Sequence, residues 1–310
     1  MMDGLRGLVV RRAMAVVPVL LGVSVLSFAM LHVIPGDAAV ILGGPQATEA
    51  ELVGIRREHG LDQPLLVQYV RYVGHVARGD LGISIRTRDP VRQLLVDGLG
   101  VTLTLASLSL ALALTLGIPA GVVAARRPNS LIDVLTMAGA LLGVSMPAFW
   151  YGLVLLFVFA GALRWLPAGG VGGVQHLVLP VVVLGTAGMG VIARLTRTAM
   201  LEVMRQDFVR TARAKGLAER QVLLRHALWN ALNPVLTVVG LQFGFLLGGS
   251  VLTETVFALP GIGRIMVNAV FSRDYPVVQG GILLVGAVFV LINFLTDLAY
   301  ALVNPRLREG

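Results

Sequence analysis

Long apolar runs separated by polar stretches dominate the chain, and six of them have about the length of a membrane-spanning helix. An α-helix rises about 1.5 Å per residue, so about 20 apolar residues cross a hydrocarbon layer roughly 30 Å thick. Five runs reach that length, and the helix of the shorter fourth run can continue past Arg194. The pattern predicts spans at residues 13–34, 101–125, about 134–163, 177–193, 232–253 and 277–303.

The first run resembles the start of a secretory signal peptide, because three arginines precede it. A signal peptide has an apolar region of about 7–15 residues followed by a cleavage site of small residues. This run has 22 residues and leads into Pro35-Gly36-Asp37, where no such site occurs. We interpret it as an uncleaved first span.

The composition also indicates a polytopic membrane protein. Hydrophobic residues make up 56% of the 310-residue chain and charged residues only 14%, whereas soluble domains carry about 25% charged residues. The polar surface is therefore too small to cover a water-soluble fold. Cysteine is absent, which excludes disulfides, zinc–thiolate sites and a catalytic thiol.

The net charge of +8 is concentrated on one side of this predicted topology. Six spans place both termini and the loops after spans two and four on the same side, with 15 basic and six acidic residues. The opposite side has ten of each. Because basic residues accumulate on the cytoplasmic side, we expect both termini in the cytoplasm. The basic loop lacks interleaved stacking aromatics, so nucleic-acid binding is not favoured.

Glycines four residues apart recur in three of the predicted spans. Such glycines lie on one face of a helix and let two backbones approach closely, which favours helix association in lipid. The pattern predicts either a packing face or the lining of a pathway. The positions are Gly117 with Gly121, Gly139 with Gly143, and the series Gly240, Gly244 and Gly248. Prolines that kink or begin spans are Pro18, Pro119, Pro147, Pro180 and Pro234.

The outer segment 35–97 contains a predicted amphipathic helix. Asp62 is the expected N-cap, Pro64 lies in the expected first turn, and the stretch from Gly79 to Gly82 ends the helix. This helix is expected to lie on the outer surface or to cap the bundle. Its apolar face is predicted to carry Leu65, Leu66, Tyr69, Val73 and Val76. The segment separates residues 1–34, with the first span, from a five-helix part at residues 98–310.

The cytoplasmic loop of about 33 residues from Arg194 to His226 is rich in alanine, leucine and arginine, which favours helix. Gly216 is predicted to divide it into a short helix and a second helix that leads to Asn233-Pro234. The result is an exposed elbow that another protein can hold. The alternative is a basic loop that is simply solvated.

An ordered set of motifs then covers nearly the whole chain. The run from Phe208 to Leu217 resembles the EAA-type coupling motif of ABC importer permeases. The whole set resembles the first, B-type permease subunit of the dipeptide, oligopeptide and nickel family. The further motifs are Ile34-Pro35-Gly36-Asp37, Gly79-Asp80-Leu81-Gly82, Arg225-His226-Ala227, Asn233-Pro234, Glu254-Thr255-Val256-Phe257, Pro260-Gly261-Ile262-Gly263, Arg273-Asp274-Tyr275-Pro276, and Asn293 through Asp297 to Asn304-Pro305-Arg306.

This resemblance implies an all-α, six-helix fold like that of type I ABC importer permeases, forming half of a translocation pathway in the bacterial inner membrane. The implied partners are a C-type permease subunit, two ATP-binding subunits and an extracytoplasmic substrate-binding protein. ATP and Mg²⁺ are expected on the ATPase subunits, and no cofactor or catalytic residue is expected in this chain. The sequence agrees, since it has no GxxxxGK[ST] phosphate-binding loop.

The resemblance also implies roles for particular residues. A coupling segment at residues 205–226 would contact the ATPase. Arg210 stands where the generic motif has its leading glutamate, so an ion pair of that glutamate is not carried over. Asn304 likewise replaces an acid common before Pro-Arg. The ATPase-coupling residues are predicted to be Arg210, Thr211, Ala212, Arg213, Ala214, Lys215, Gly216, Leu217, Glu219 and Arg220.

Two outer segments between spans five and six are expected to face the binding protein or to act in gating. The alternative is that they are tight turns that only connect the spans. The residues concerned are Glu254, Phe257, Pro260, Gly261, Gly263, Arg273, Asp274 and Tyr275.

Asp297 is the acid that lies deep in a predicted span, with Asn293 one turn away. Charged groups within a membrane mark functional sites by default. Pairing with Arg194 or Arg197 is favoured over a proton relay. The five histidines are scattered without metal-binding spacing, so no metal site is expected.

Three classes of function remain after this reading. An ABC importer permease comes first, with di- or oligopeptides as the favoured solutes and nickel, haem or glutathione as alternatives. A secondary transporter would work alone on an ion gradient and usually carries more intramembrane charge. A membrane-embedded enzyme would need a catalytic pair within the spans, and the sequence offers none.

Overall fold

The computed structural model describes residues 2–33, 38–44, 47–58 and 60–303, and these form helices and connecting turns without a β-strand. A single antiparallel bridge joins Ile83 and Pro90. The helices are α1 (Met2–Val33), α2 (Ala38–Gly43), α3 (Glu49–Glu58), α4 (Leu65–Ala77), α5 (Val91–Arg126), α6 (Leu131–Ser145), α7 (Ala148–Leu155), α8 (Gln175–Val203), α9 (Asp207–Ala214), α10 (Glu219–Gln221), α11 (Leu228–Val256), α12 (Ile262–Phe271) and α13 (Tyr275–Val303). Two π-helical segments, Leu156–Ala162 and Val222–Ala227, continue α7 and join α10 to α11.

Among the described residues, four helices are long and apolar enough to cross a membrane. They are Val91–Arg126, Gln175–Val203, Glu219–Val256 and Tyr275–Thr296. A fifth span results if the bent pair Leu131–Ser145 and Ala148–Ala162 is counted as one. Helix α1 contributes a shorter apolar stretch, Met14–Met30. All six predicted runs are therefore helical in the described residues. Up to five of them are long and apolar enough to cross a membrane.

The third predicted run is broken, with an angle of 102° between its two helices. Met146 adopts an extended backbone and Pro147 precedes the first residue of α7. Proline lacks an N–H donor and disfavours helical geometry in the residue before it, so α6 ends here. The other four prolines named above lie inside continuous helices.

Two compact units divide the chain. Among the described residues, one contains Val101–Pro260 with residues 295–303, and the other contains those between residues 2 and 100 together with Gly261–Phe294. In the second unit, α5 already begins at Val91, ten residues before its apolar run. Val91 and Leu95 are fully buried against Ala269, Val277 and Val278, so this polar stretch is helical because its apolar residues pack.

Helix α4 begins at Leu65 and its N-cap is Pro64, without a side-chain cap. The prediction that Asp62 is the N-cap is therefore wrong, because residues 61–63 belong to the preceding turn. The predicted apolar face is only partly correct. Tyr69, Val73 and Val76 are half-buried, whereas Leu65 and Leu66 are exposed.

Close backbone approach at glycines forms the core of the first unit. A Cβ atom at Gly117 would lie 2.9 Å from the Met189 carbonyl oxygen, and one at Gly121 would lie 2.5 Å from that of Ala193. Both carbonyls belong to α8, so α5 and α8 touch through their backbones. On α6, Gly143 contacts Thr186 of α8, but no atom lies within 4 Å of a Cβ at Gly139. Both glycines of α5, Gly117 and Gly121, therefore lie at a packing face. On α6 this holds for Gly143 but not for Gly139.

These contacts predict different outcomes for two glycine variants. Gly121→Val should lower the free energy of unfolding by roughly 1–3 kcal/mol, because overpacking forces α5 away from α8. Gly139→Val is the matched control, since its added side chain meets open space. Thermal unfolding of the purified chain in detergent measures both. Equal midpoints for the two variants would contradict the packing described.

Candidate coupling site and outer loops

A helix break at Gly216 shapes the elbow between α9 and α10. Gly216 has a positive φ of 77°, which glycine adopts at little steric cost. Its N–H donates to the Arg213 carbonyl oxygen at 2.9 Å, and the Leu217 N–H donates to that of Ala212 at 3.4 Å. This pair of bonds is a Schellman motif, in which a left-handed residue ends a helix. The break predicted at Gly216 is therefore present, at the end of α9.

The inner face of α9 is anchored by hydrophobic packing. Val209 is fully buried and Ala212 nearly so. They lie in one cluster with side chains from the end of α8 and from the π-helical segment after α10. The other buried members are Ala125, Ala199, Met200, Val203, Val222, Leu223, Ala227 and Ala231. Helix α8 continues past Arg194 to Val203, as expected. Because its last residues belong to this cluster, the elbow packs directly on the end of a membrane-spanning helix.

The outer face of the elbow is open in this chain. Nine of the ten predicted coupling residues are exposed, and the tenth, Ala212, is buried. Apolar side chains accompany the basic ones, because Phe208, Leu217 and Leu224 are 39%, 37% and 47% exposed. A mixed apolar and basic surface of this kind suits contact with another protein.

An ion pair crosses the break. The Arg213 guanidinium donates to the Glu219 carboxylate with Nε–Oε2 and Nη2–Oε1 distances of 3.1 and 2.8 Å. This hydrogen bonding to Glu219 raises the pKa of Arg213 above its ordinary value. An exposed pair contributes little to stability, but this one fixes the end of α9 relative to the start of α10. This pair is not among the predicted contacts, although the sequence has opposite charges on either side of Gly216.

A second, buried ion pair was also missed. Asp133 is 2% exposed and accepts from Arg197 at 2.5 Å (Nε) and 2.6 Å (Nη2), and from the Asn129 N–H at 2.9 Å. Arg197 lies in α8, so the pair ties the start of α6 to the helix that leads into the elbow. Arg197 was a predicted partner of Asp297, but in the structure it binds Asp133. The side chain of Asp297 lies outside the described residues, and Asn293 is half-buried.

The three glycines of α11 have different surroundings. A Cβ at Gly240 would overlap the side chain of Thr296 in α13, so the two helices touch there. Gly244 is half-buried. Gly248 is exposed, with no atom within 4 Å of a Cβ. Gly240 therefore packs against a neighbouring helix, whereas Gly248 lies on an exposed surface of α11.

The loop after α11 is held by buried groups. Glu254 is fully buried and accepts from the Thr102 hydroxyl at 2.7 Å. Phe257 is fully buried, and its carbonyl oxygen accepts from the Gly170 N–H at 2.8 Å. Gly169 lies against the same Phe257 backbone, where any side chain would clash. The loop is thus fixed to the segment that precedes α8.

In the other unit, Asp274 fixes the outer segment before α5. Its buried carboxylate accepts from the Ser84 hydroxyl at 2.5 Å, from the Ile85 N–H at 3.1 Å and from the Arg86 N–H at 3.3 Å. A Cβ atom built at Gly82 would lie 3.9 Å from Cβ of Pro276. The motifs at residues 79–82 and 273–276, far apart in sequence, are therefore neighbours.

These contacts bear on the residues expected to face the binding protein. Six of the eight are buried, namely Glu254, Phe257, Gly261, Gly263, Asp274 and Tyr275. The six buried residues hold connecting turns, and Pro260 and Arg273 are the two of the eight with exposed side chains.

The turn after α4 bounds a cavity of about 250 Å³, next to the first turns of α13. Asp80 accepts from the Gly82 N–H at 3.0 Å and lies 3.1 Å from Nδ1 of His75. The Gly82 N–H and His75 lower the pKa of Asp80. Among the described residues, no group of three potential ligands is placed to hold a metal ion.

The Asp274 contacts generate a prediction about the outer segment. Asp274→Asn should release residues 84–86, because the amide has a single accepting oxygen and its NH2 group cannot accept the hydrogen bonds that the second carboxylate oxygen accepts. Trypsin should then cut after the exposed Arg86 and Arg88 several-fold faster. Asp89→Asn is the matched control, since it neutralises a neighbouring exposed carboxylate. Unchanged cleavage in Asp274→Asn would show that other contacts hold the segment.

Comparisons with known proteins agree with this architecture. Residues 117–309 match the family described as "Binding-protein-dependent transport system inner membrane component". Residues 5–106 match the family described as "Binding-prot-dependent transport system membrane comp, N-term".

Similar proteins include permeases of peptide transport systems. The di/tripeptide transport system permease protein DppB of Pseudomonas aeruginosa (strain UCBPP-PA14) is 44% identical, over 97% of this chain and 98% of that protein. The dipeptide transport system permease protein DppB of Escherichia coli K12 is 41% identical over the same shares. The glutathione transport system permease protein GsiC of Salmonella paratyphi A is 44% identical, again over 97% and 98%.

Solved structures share the fold. The methionine ABC transporter MetNI, in an inward-facing conformation, has a TM-score of 0.58 at 23% identity, over 68% of this chain and 97% of that chain. An amino acid ABC transporter crystallised with histidines has a TM-score of 0.52 at 15% identity, over 69% and 94%. The near full-length sequence matches show the family as well as the fold. The chain belongs to the ABC importer permeases of the dipeptide and oligopeptide family, and it is a multi-pass protein of the bacterial inner membrane.

Proposed function

We propose that this chain is one of two permease subunits in an ATP-driven importer of di- or oligopeptides. The observation that carries the proposal is its 41–44% identity, over nearly the full length, to permeases named for dipeptides, di/tripeptides and glutathione. Glutathione is itself a tripeptide, so these names share one solute class. Nickel chelates and haem are the alternatives, and the chain's scattered histidines give them no support.

The proposed topology has six spans with both termini in the cytoplasm. Four long apolar helices, the bent pair and the apolar part of α1 supply the six. The excess of basic residues in the loops after spans two and four sets the orientation. This orientation puts the elbow at Gly216 on the cytoplasmic side, where ATP is available.

The elbow is proposed to be the contact with an ATP-binding subunit. Its outer face is exposed and carries both apolar and basic side chains. Its inner face packs on the end of α8 through Val209 and Ala212. A displacement of the elbow therefore acts on a membrane-spanning helix. Closure of the ATPases would rock the helices between inward and outward access, a rigid-body change between two states.

The remaining partners follow from the same assignment. A second, C-type permease completes the pathway, two ATPase subunits bind ATP and Mg²⁺, and an extracytoplasmic protein delivers the solute. Exposed Pro260 and Arg273 are the proposed contacts with that protein or its gate. The chain acts as a transport subunit without its own ATPase site.

Transport by the reconstituted complex tests the solute class. Liposomes that contain both permeases and both ATPases, with the binding protein added, should take up a labelled dipeptide when ATP is supplied. Excess unlabelled tripeptide should compete, and a nickel chelate should not. Uptake by the isolated chain on an ion gradient would identify a secondary transporter. Uptake of the chelate alone would overturn the peptide assignment.

The ion pair at the elbow gives a test of coupling. Arg213→Glu places two carboxylates across Gly216 and should lower solute-stimulated ATP hydrolysis several-fold. The exchange of both charges, Arg213→Glu with Glu219→Arg, should restore most of it. Arg57→Glu, which reverses an exposed charge in α3, is the matched control.

Membrane insertion and complex assembly are measured in parallel for each of these variants. If the double variant couples no better than Arg213→Glu, the pair does not set the geometry of the elbow. If Arg213→Glu couples normally, the charge at position 213 is not required for coupling.

A further inference from the structure

Helix α4 is bound to α1 by polar and aromatic contacts that the transport proposal does not use. The Ser24 hydroxyl lies 2.7 Å from that of Tyr69, and the Ser27 hydroxyl lies 2.9 Å from that of Tyr72. The ring of Phe28 packs between the two tyrosines, with centroid distances of 5.4 and 5.7 Å. One face of α4 is therefore fixed against the apolar part of α1.

Contacts with a third helix, α13, show how deep in the membrane α4 lies. The Ser27 hydroxyl donates to the Gln279 carbonyl oxygen at 3.0 Å, and the Gln279 side chain donates to the Ser27 carbonyl oxygen at 3.1 Å. Gln279 lies about one helical turn inside the end of α13 at Tyr275. Helix α4 thus lies level with the end of a membrane span, where tyrosines are enriched at the boundary of lipid and water.

The two flanks of α4 beside this face have opposite character. Leu66 and Val70 lie on one flank and are 73% and 64% exposed. Arg71, His75 and Arg78 lie on the other flank and are exposed as well. An apolar flank and a basic flank along one short helix are the pattern of helices that lie in the membrane interface.

We infer that α4 is an interfacial helix, with Leu66 and Val70 inserted among lipid acyl chains and with Arg71 and Arg78 directed at lipid phosphates. In the proposed orientation this is the outer leaflet. The guanidinium groups match the charge of the phosphates, and the depth of the helix matches the headgroup boundary. The few apolar side chains are too small a surface for a stable subunit contact, which buries about 1,000 Å² or more. The inference rests on α1 and α13 crossing the membrane, whichever solute is transported.

The absence of cysteine makes a direct test possible. Leu66→Cys and Arg71→Cys, on opposite flanks of α4, are each labelled with a small fluorophore in the assembled complex with cysteine-free partners. The complex is reconstituted in phosphatidylcholine liposomes. Quenching by phosphatidylcholine spin-labelled on its acyl chain should be several-fold stronger at position 66 than at position 71. Quenching by iodide in the water should show the reverse order. ATP-dependent uptake verifies that each labelled complex is intact.

Two results would overturn the inference. Equal iodide quenching at both positions would place the apolar flank in water. Protection of position 66 from both quenchers would mean that another subunit covers it. Val70→Cys provides a second reporter on the same flank, so that failure of one variant to assemble still leaves the question decided.

Discussion

Backbone contact along α8 is the constraint on which the first unit depends. Lipid is as apolar as leucine, so helices in a bilayer gain little from hydrophobic side chains and associate through close packing instead. Gly117 and Gly121 bring α5 against the carbonyl groups of α8, and Gly190 of α8 faces the Ala140 backbone of α6. The helix so enclosed then leads without interruption to the cluster beneath the elbow. The elbow therefore rests on a helix that packs closely against both α5 and α6.

Buried carboxylates fix the ends of helices in this chain. Asp133 binds Arg197, Glu254 accepts from Thr102, and Asp274 accepts three hydrogen bonds from the turn at residues 84–86. A polar group withdrawn from water is costly unless it is hydrogen-bonded. Each of these acids therefore favours the one arrangement of its loop in which its oxygens have hydrogen-bond partners.

Much of the fold could be predicted from local pattern, whereas pairing between distant residues could not. The apolar runs located the helices because run length reflects membrane thickness, and Gly216 marked the break because a left-handed corner favours glycine. Five prolines could each kink or begin a span. The sequence around Pro147, where the bend occurs, does not differ in any evident way from the sequence around the four prolines that lie in continuous helices. Asp133 and Arg197 are 64 residues apart, and their contact depends on how α6 crosses α8. The same holds for Asp274 and Ser84, and it explains why residues expected at an outer surface are buried.

The π-helical segment Val222–Ala227 sets the rotational phase between the elbow and α11. Its hydrogen bonds reach one residue further back than those of an α-helix. Conversion of the segment to regular α-helix would shift the register by one residue, which turns everything before it by about 100°. Arg213 and Glu219 both precede the segment and would turn together, so the outer face of the elbow would point in another direction relative to α11. The direction of that face is thus set by an irregularity of the helix that follows it.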